Sequence, residues 1–186
     1  MNKYVRMAVE IPVGVIKSFV INLSPGRDAR ISPVCAISPL AELTIDRGAK
    51  VSIGKKFRLR SGSHIRIRKN AVLNIGENVS FNHGCMLTCR ANIKIGNHVQ
   101  FSPNVMVYDH DHDFRAAGGV KSMKYRSTPI VIGNNVWIGA NTVILRGSCI
   151  GNNCVIGAGS VIHGEYEDNS IVIQKRVDTI KSGAAG

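Results

Sequence analysis

The chain has 186 residues, a formal net charge of +12, 19 glycines and only 5% aromatic residues. That length suits one domain, and the charge calls for anionic partners. The scarcity of aromatics and the lack of any nucleic-acid-binding motif argue against nucleic acid, while five cysteines without a CxxC pair argue against a zinc framework and suit reduced packing residues of a cytoplasmic protein.

Residues 1–24 form an apolar arm. Its stretch 8–23 is interrupted by Glu10, Pro12, Gly14 and Lys17, so it suits neither a membrane span nor a signal peptide. The arm is expected to pack over the end of the following structure. Because Lys3, Arg6 and Lys17 flank apolar residues, a helix lying on anionic lipid is the alternative.

Beyond the arm a motif recurs: Ala-Lys-Val-Ser-Ile-Gly at 49–54, Ala-Val-Leu-Asn-Ile-Gly at 71–76, Ala-Asn-Ile-Lys-Ile-Gly at 91–96 and Thr-Pro-Ile-Val-Ile-Gly at 128–133. Between Lys55 and Lys69, Arg58, Arg60, Arg66 and Arg68 alternate with Phe57, Leu59, Ile65 and Ile67. On strands this turns the apolar residues inward and the arginines outward, giving a basic flank suited to lipid headgroups or an anionic saccharide.

From Ile132 an aliphatic residue returns at every sixth position, through Ile138, Ile144, Ile150 and Ile156 to Ile162. A period of six is neither the 3.6 of a helix nor the 2 of an ordinary strand. Val136, Thr142, Ser148, Cys154 and Ser160 fall four places after the first five aliphatics. Three hexads would make one triangular turn of a parallel β-helix, with aliphatic residues stacked inside and small ones at the corners. Successive Ile-Gly corners at 53, 75, 95, 132 and 150 are 22, 20, 37 and 18 residues apart. The step of 37 is one coil plus an insertion of about 19 residues, placed at about 109–127, and long excursions from a solenoid tend to carry function. It holds Asp109, His110, Asp111, His112 and Asp113, which admit three readings: metal ligation, a solvated loop, or a carboxylate-oriented histidine base.

The segments Asn-Asn-Val-Trp-Ile-Gly-Ala-Asn at 134–141 and Gly-Ala-Gly-Ser at 157–160 resemble the hexapeptide-repeat acyltransferases, most of all the sugar O-acetyltransferases of galactoside, maltose and polysaccharide type. The resemblance covers roughly 75–169. It implies an all-β fold, a left-handed parallel β-helix whose hand departs from the usual crossover rule. That helix occupies 25–165, with one inserted loop, the arm 1–24 and a basic tail 166–186 as short extensions. It also implies a homotrimer with active sites between subunits.

In the resembling enzymes the catalytic histidine follows an Asn-Val-x-aliphatic stretch. Counting from Asn104, Val105, Met106 and Val107 gives His112, with His110 as the alternative two residues earlier. The implied reaction is direct transfer from acetyl-CoA, with histidine as general base, the corner of Gly139 and Ala140 supplying an oxyanion donor, and no metal. Trp137, Ala140 and Ala158 match positions lining the cleft for the pantetheine arm. Asn82 matches the asparagine that holds the acceptor sugar, and Asp109 is placed with it on the acceptor side. Asp109, Asp111 or Asp113 would fix the imidazole tautomer. The chain departs from the family pattern where His163 and Gly164 replace a usual Thr-Lys and where the usual tail motif is absent; Lys175, Arg176 and Lys181 offer substitute positive charge.

These readings lead to O-acetylation of a sugar hydroxyl on a polysaccharide or lipid-linked precursor, in the cytoplasm, with peripheral association at the inner membrane face. Two alternatives stand beside it. One is a γ-carbonic-anhydrase-like zinc hydratase using His83, His110 and His112, whose spacing does not fit that family's ligands. The other is a non-catalytic scaffold or sugar-binding subunit.

Overall fold

A computed structural model describes residues 2–26 and 28–175. Short parallel strands stack into three sheets that form the faces of a triangular solenoid, the left-handed parallel β-helix expected. The first face runs from Asp28–Ile31 to Glu165–Tyr166, the second from Cys35–Ile37 to Ile171–Val172, and the third from Glu42–Ile45 to Val161–Ile162. The register places like on like. Ile53 pairs with Ile75, Ile95 with Ile132, and Ile132 with Ile150, so each aliphatic residue sits on its counterpart one coil away. Burying one such side chain contributes about 1.5–3 kcal/mol.

The small residues of the hexads have a physical task at the corners. Thr142, Ser148 and Ser160 are buried, and their hydroxyls donate to the carbonyls of Gly139, Leu145 and Gly157 at 2.6–2.7 Å. Each bond satisfies a polar group that would otherwise be buried without a partner. At the Ile-Gly corners successive backbones touch: a Cβ on Gly54 would meet the Gly76 backbone at 2.8 Å.

Helix α1 (Lys3–Asn22) lies against the first coil with the usual polarity reversed. Glu10 and Ser18 face inward and are buried, with Glu10 ion-paired to Arg60. Lys17 donates to the Ala41 carbonyl at 2.8 Å, and Asn22 brackets the Ile31 backbone with bonds of 2.8 and 2.9 Å. A Cβ on Gly14 would meet the Cys35 carbonyl oxygen at 2.7 Å, so glycine permits this close approach. Val5, Ile16, Phe19, Val20 and Leu23 point outward and are exposed. A surface helix normally does the opposite.

The basic flank alternates as expected, with Phe57, Leu59, Ile65 and Ile67 inside. Most of its arginines are neutralised: Arg60 by Glu10, Arg66 by Glu42 and Arg68 by Asp46. Hydrogen bonds from Arg66, His64 and Thr44 hold the Glu42 carboxyl down at about 2, so this cluster stays ion-paired at neutral pH. The insertion, which has no hexad rhythm, is an antiparallel hairpin of His110–His112 and Tyr125–Ser127 with a 3-10 turn at its tip.

Candidate active site

The third-face strand Met106–Tyr108 leads straight into the inserted hairpin, and Asp109 is the hinge between them. Its carboxylate is fully buried and accepts bonds from the backbone N–H groups of Arg90 (2.8 and 3.0 Å) and Ala91 (2.7 Å). It also faces the Nδ1 of His110 at 3.2 Å. Burial alone would raise the Asp109 pKa, but the bonds from His110, Ala91 and Arg90 outweigh it and hold the carboxyl below its ordinary value. A carboxylate opposite Nδ1 fixes the proton there and leaves Nε2 as the free lone pair.

Of the three loop carboxylates, only Asp109 reaches an imidazole. Asp111 pairs with Arg146 and Asp113 with Arg126. The side chain of His110 is 13% exposed, and its ring lies edge-on to Tyr108 and Tyr125. His112 is exposed and rests on Tyr125 with ring centroids 4.6 Å apart. The Arg90 guanidinium covers the same tyrosine ring at 3.5 Å. Tyr125, Arg90 and Arg146 escape sequence reasoning because only the hairpin register and the coil stacking bring them to the 109–113 cluster.

A groove of about 390 Å³ opens on the second face. The register aligns Arg58, Ser80, Gln100 and Trp137 as one outward column across four coils, and Arg60, Asn82 and Ser102 flank it. Trp137 is 56% exposed, and its Nε1 donates to the Ser102 hydroxyl at 3.1 Å. Asn82 uses its Oδ1 to accept from the His83 N–H at 2.8 Å, which leaves its amide nitrogen for a ligand.

At the adjoining corners the Gly139 N–H is spent on the Ile156 carbonyl at 2.8 Å, while those of Ala140 and Ala158 make no bond among the described residues. The corner therefore leaves the N–H of Ala140 open and not that of Gly139. Burial pushes the Cys85 thiol up to about 11, which suits a packing residue and not a nucleophile.

Trp137, Asn82, Ala140 and Ala158 thus cluster around the second face and its corner, whereas Asp109, His110 and His112 lie past the far end of the third. The strand Met106–Tyr108 spans the space between, roughly 10 Å at about 3.3 Å per residue. One chain does not bring the two groups together. His83 bonds to Ser61 at the Asn82 corner and does not join His110 and His112 within the chain. Arg176 and Lys181 lie outside the described residues.

Residues 129–164 match the family described as bacterial transferase hexapeptide (six repeats). The matched segment holds the whole hexad run from Ile132 to Ile162. The chain is 35% identical over 94 residues to galactoside O-acetyltransferase of Lactococcus lactis, covering 48% of this chain and 43% of that protein. It is 36% identical over 83 residues to galactoside O-acetyltransferase of Escherichia coli, covering 42% and 38% respectively. The chain therefore spans less than half the length of these relatives. Among solved structures it is similar to a maltose O-acetyltransferase from Clostridium difficile, with 35% identity, a TM-score of 0.56 and coverage of 64% of this chain and 63% of that one. The N-acyltransferase AntD from Bacillus cereus shares the fold over 89% of this chain and 88% of that one, at 18% identity and a TM-score of 0.67.

Proposed function

We propose that this chain transfers the acetyl group of acetyl-CoA to a sugar hydroxyl, with a histidine as general base. The observation that carries the reading is the Asp109–His110 pair, held on the one insertion of a hexapeptide-repeat coil. The names of its galactoside- and maltose-acetylating relatives support a sugar acceptor.

Of the two candidate bases, His110 is the better supported, although counting from Asn104 favours His112. Its Nδ1 faces a buried carboxylate, and its Nε2 is free to take a proton. In the reaction His110 removes the hydroxyl proton as the sugar oxygen attacks the thioester carbonyl. A C–O bond forms, the N–H of Ala140 holds the oxyanion, and the C–S bond breaks. The imidazolium then gives its proton to the departing thiolate, releasing CoA.

Asn82 holds the acceptor and Trp137 lines the donor cleft with Ala140 and Ala158. Because His110 lies a full face away from that groove, the site is completed by a second copy in a homotrimer. Trp137→Ala should raise the KM for acetyl-CoA by roughly 2–10-fold, the worth of one aromatic contact, with kcat little changed. An unaltered KM would remove Trp137 from the donor cleft.

We place the enzyme in the cytoplasm against the inner membrane face. The outward apolar side of α1 supports this, and no described helix is long and apolar enough to cross a membrane. The protein should co-sediment with vesicles containing anionic lipid. Equal co-sedimentation of an Ile16→Ser, Phe19→Ser variant would show that α1 is not the contact.

A further inference from the structure

We infer that the second-face groove contains a phosphate subsite centred on Arg58, so that the acceptor sugar arrives with a phosphoester attached. The position of the sugar in this inference rests on the transferase reading, which places it at Asn82.

The argument begins with charge. Arg60, Arg66 and Arg68 of the basic flank each have a carboxylate partner, whereas no ion pair neutralises Arg58 among the described residues. The one hydrogen bond of its guanidinium among the described residues runs from a terminal nitrogen to the Asn78 Oδ1, at a long 3.4 Å. Its Nε is buried and has no hydrogen-bond partner among the described residues. A guanidinium N–H taken from water without an acceptor costs stability, and an anionic ligand would remove that cost.

Position gives the ligand its class. Strands repeat about every 4.8 Å along the column, which puts Arg58 roughly 14 Å from Trp137 and one coil beyond Ser80 and Asn82. With the donor at Trp137 and the sugar at Asn82, the group next along the groove reaches Arg58. No carboxylate lines this groove. A planar fork of N–H donors binds phosphate oxygens bidentately. Gln100 and Arg60 line the same groove, and this spread of donors along it suits a group with three or more acceptor oxygens better than a carboxylate. A sugar linked to a nucleoside diphosphate and one linked to a lipid diphosphate share this chemistry.

The test is calorimetric binding of inorganic pyrophosphate to the full chain, with CoA already saturating so that the CoA phosphate site is filled. The wild type should bind, Arg58→Gln should bind roughly tenfold or more weakly, Arg58→Lys should recover part of the loss, and Arg66→Gln should match the wild type. Displacement by uridine diphosphate would identify a nucleotide-linked acceptor, and displacement by farnesyl diphosphate a lipid-linked one. Pyrophosphate that fails to bind, that binds Arg58→Gln as well as wild type, or that is displaced only by glucuronic acid would overturn the subsite. Those results with CoA binding intact leave the transferase reading standing. Failure of CoA itself to bind counts against that reading instead.

Discussion

His110→Ala should lower the turnover of acetyl transfer by about 10²–10⁴-fold, the usual worth of a general base, while acetyl-CoA binding stays near its wild-type value. His112→Ala should cost much less. The contrast follows from what each ring touches: His110 has the buried Asp109 carboxylate at its Nδ1, whereas His112 is exposed and rests on Tyr125. If His112→Ala loses the activity and His110→Ala keeps it, the base assignment moves to His112. Asp109→Asn should lower turnover as well, because an amide cannot both accept from the Arg90 and Ala91 N–H groups and hold the imidazole in one tautomer.

The pH dependence has a definite sign. The folded-state pKa of Asp109 lies below its ordinary 3.8. Its contribution to stability is therefore complete above that ordinary value and is lost as the pH falls through the depressed one. Asp109 stays ionised throughout the neutral range, so the pH–rate profile near neutrality should not report this carboxylate. Asp109→Asn should show less acid sensitivity than the wild type in thermal melts below pH 4.

The coil was legible because its physics is written at one spacing. Six-residue steps from Ile132 to Ile162 are the structural steps, and the serine and threonine positions close corner carbonyls by hydrogen bonds that only small hydroxyl residues make there. The insertion was legible as a break in that spacing, but not as a hairpin, because its pairing joins His112 to Tyr125 across a polar sequence without alternation. The cluster at 109–113 stood out by composition. Which aspartate orients which histidine depended on Arg90 and Ala91, a coil away, and no local pattern carries that information. Helix α1 packs over the first coil as the arm was expected to, but which face it turns inward was not legible: a buried Glu10–Arg60 pair and two lysine–carbonyl bonds face the coil.

Phe81→Ala should destabilise the fold by about 3–5 kcal/mol, the cost of emptying a large buried aromatic site. At roughly 2–4 °C per kcal/mol for a chain of this size, the melting temperature should fall by about 6–20 °C. Phe81 is buried, its ring stacks on Phe101 at 4.1 Å, and Phe57 meets it edge-on at 6.1 Å. A solenoid has little means of filling such a hole, since each coil touches only its two neighbours and no distant side chain can move in. The next residue is Asn82, and Phe81 itself forms part of the groove wall. The loss should therefore reach function through position, raising the acceptor KM more than the acetyl-CoA KM, because Trp137 lies two coils further along. Phe81→Leu, which restores most of the volume, should recover most of the stability. If Phe81→Ala melts like the wild type, the aromatic stack is not what holds the acceptor side of the groove in shape.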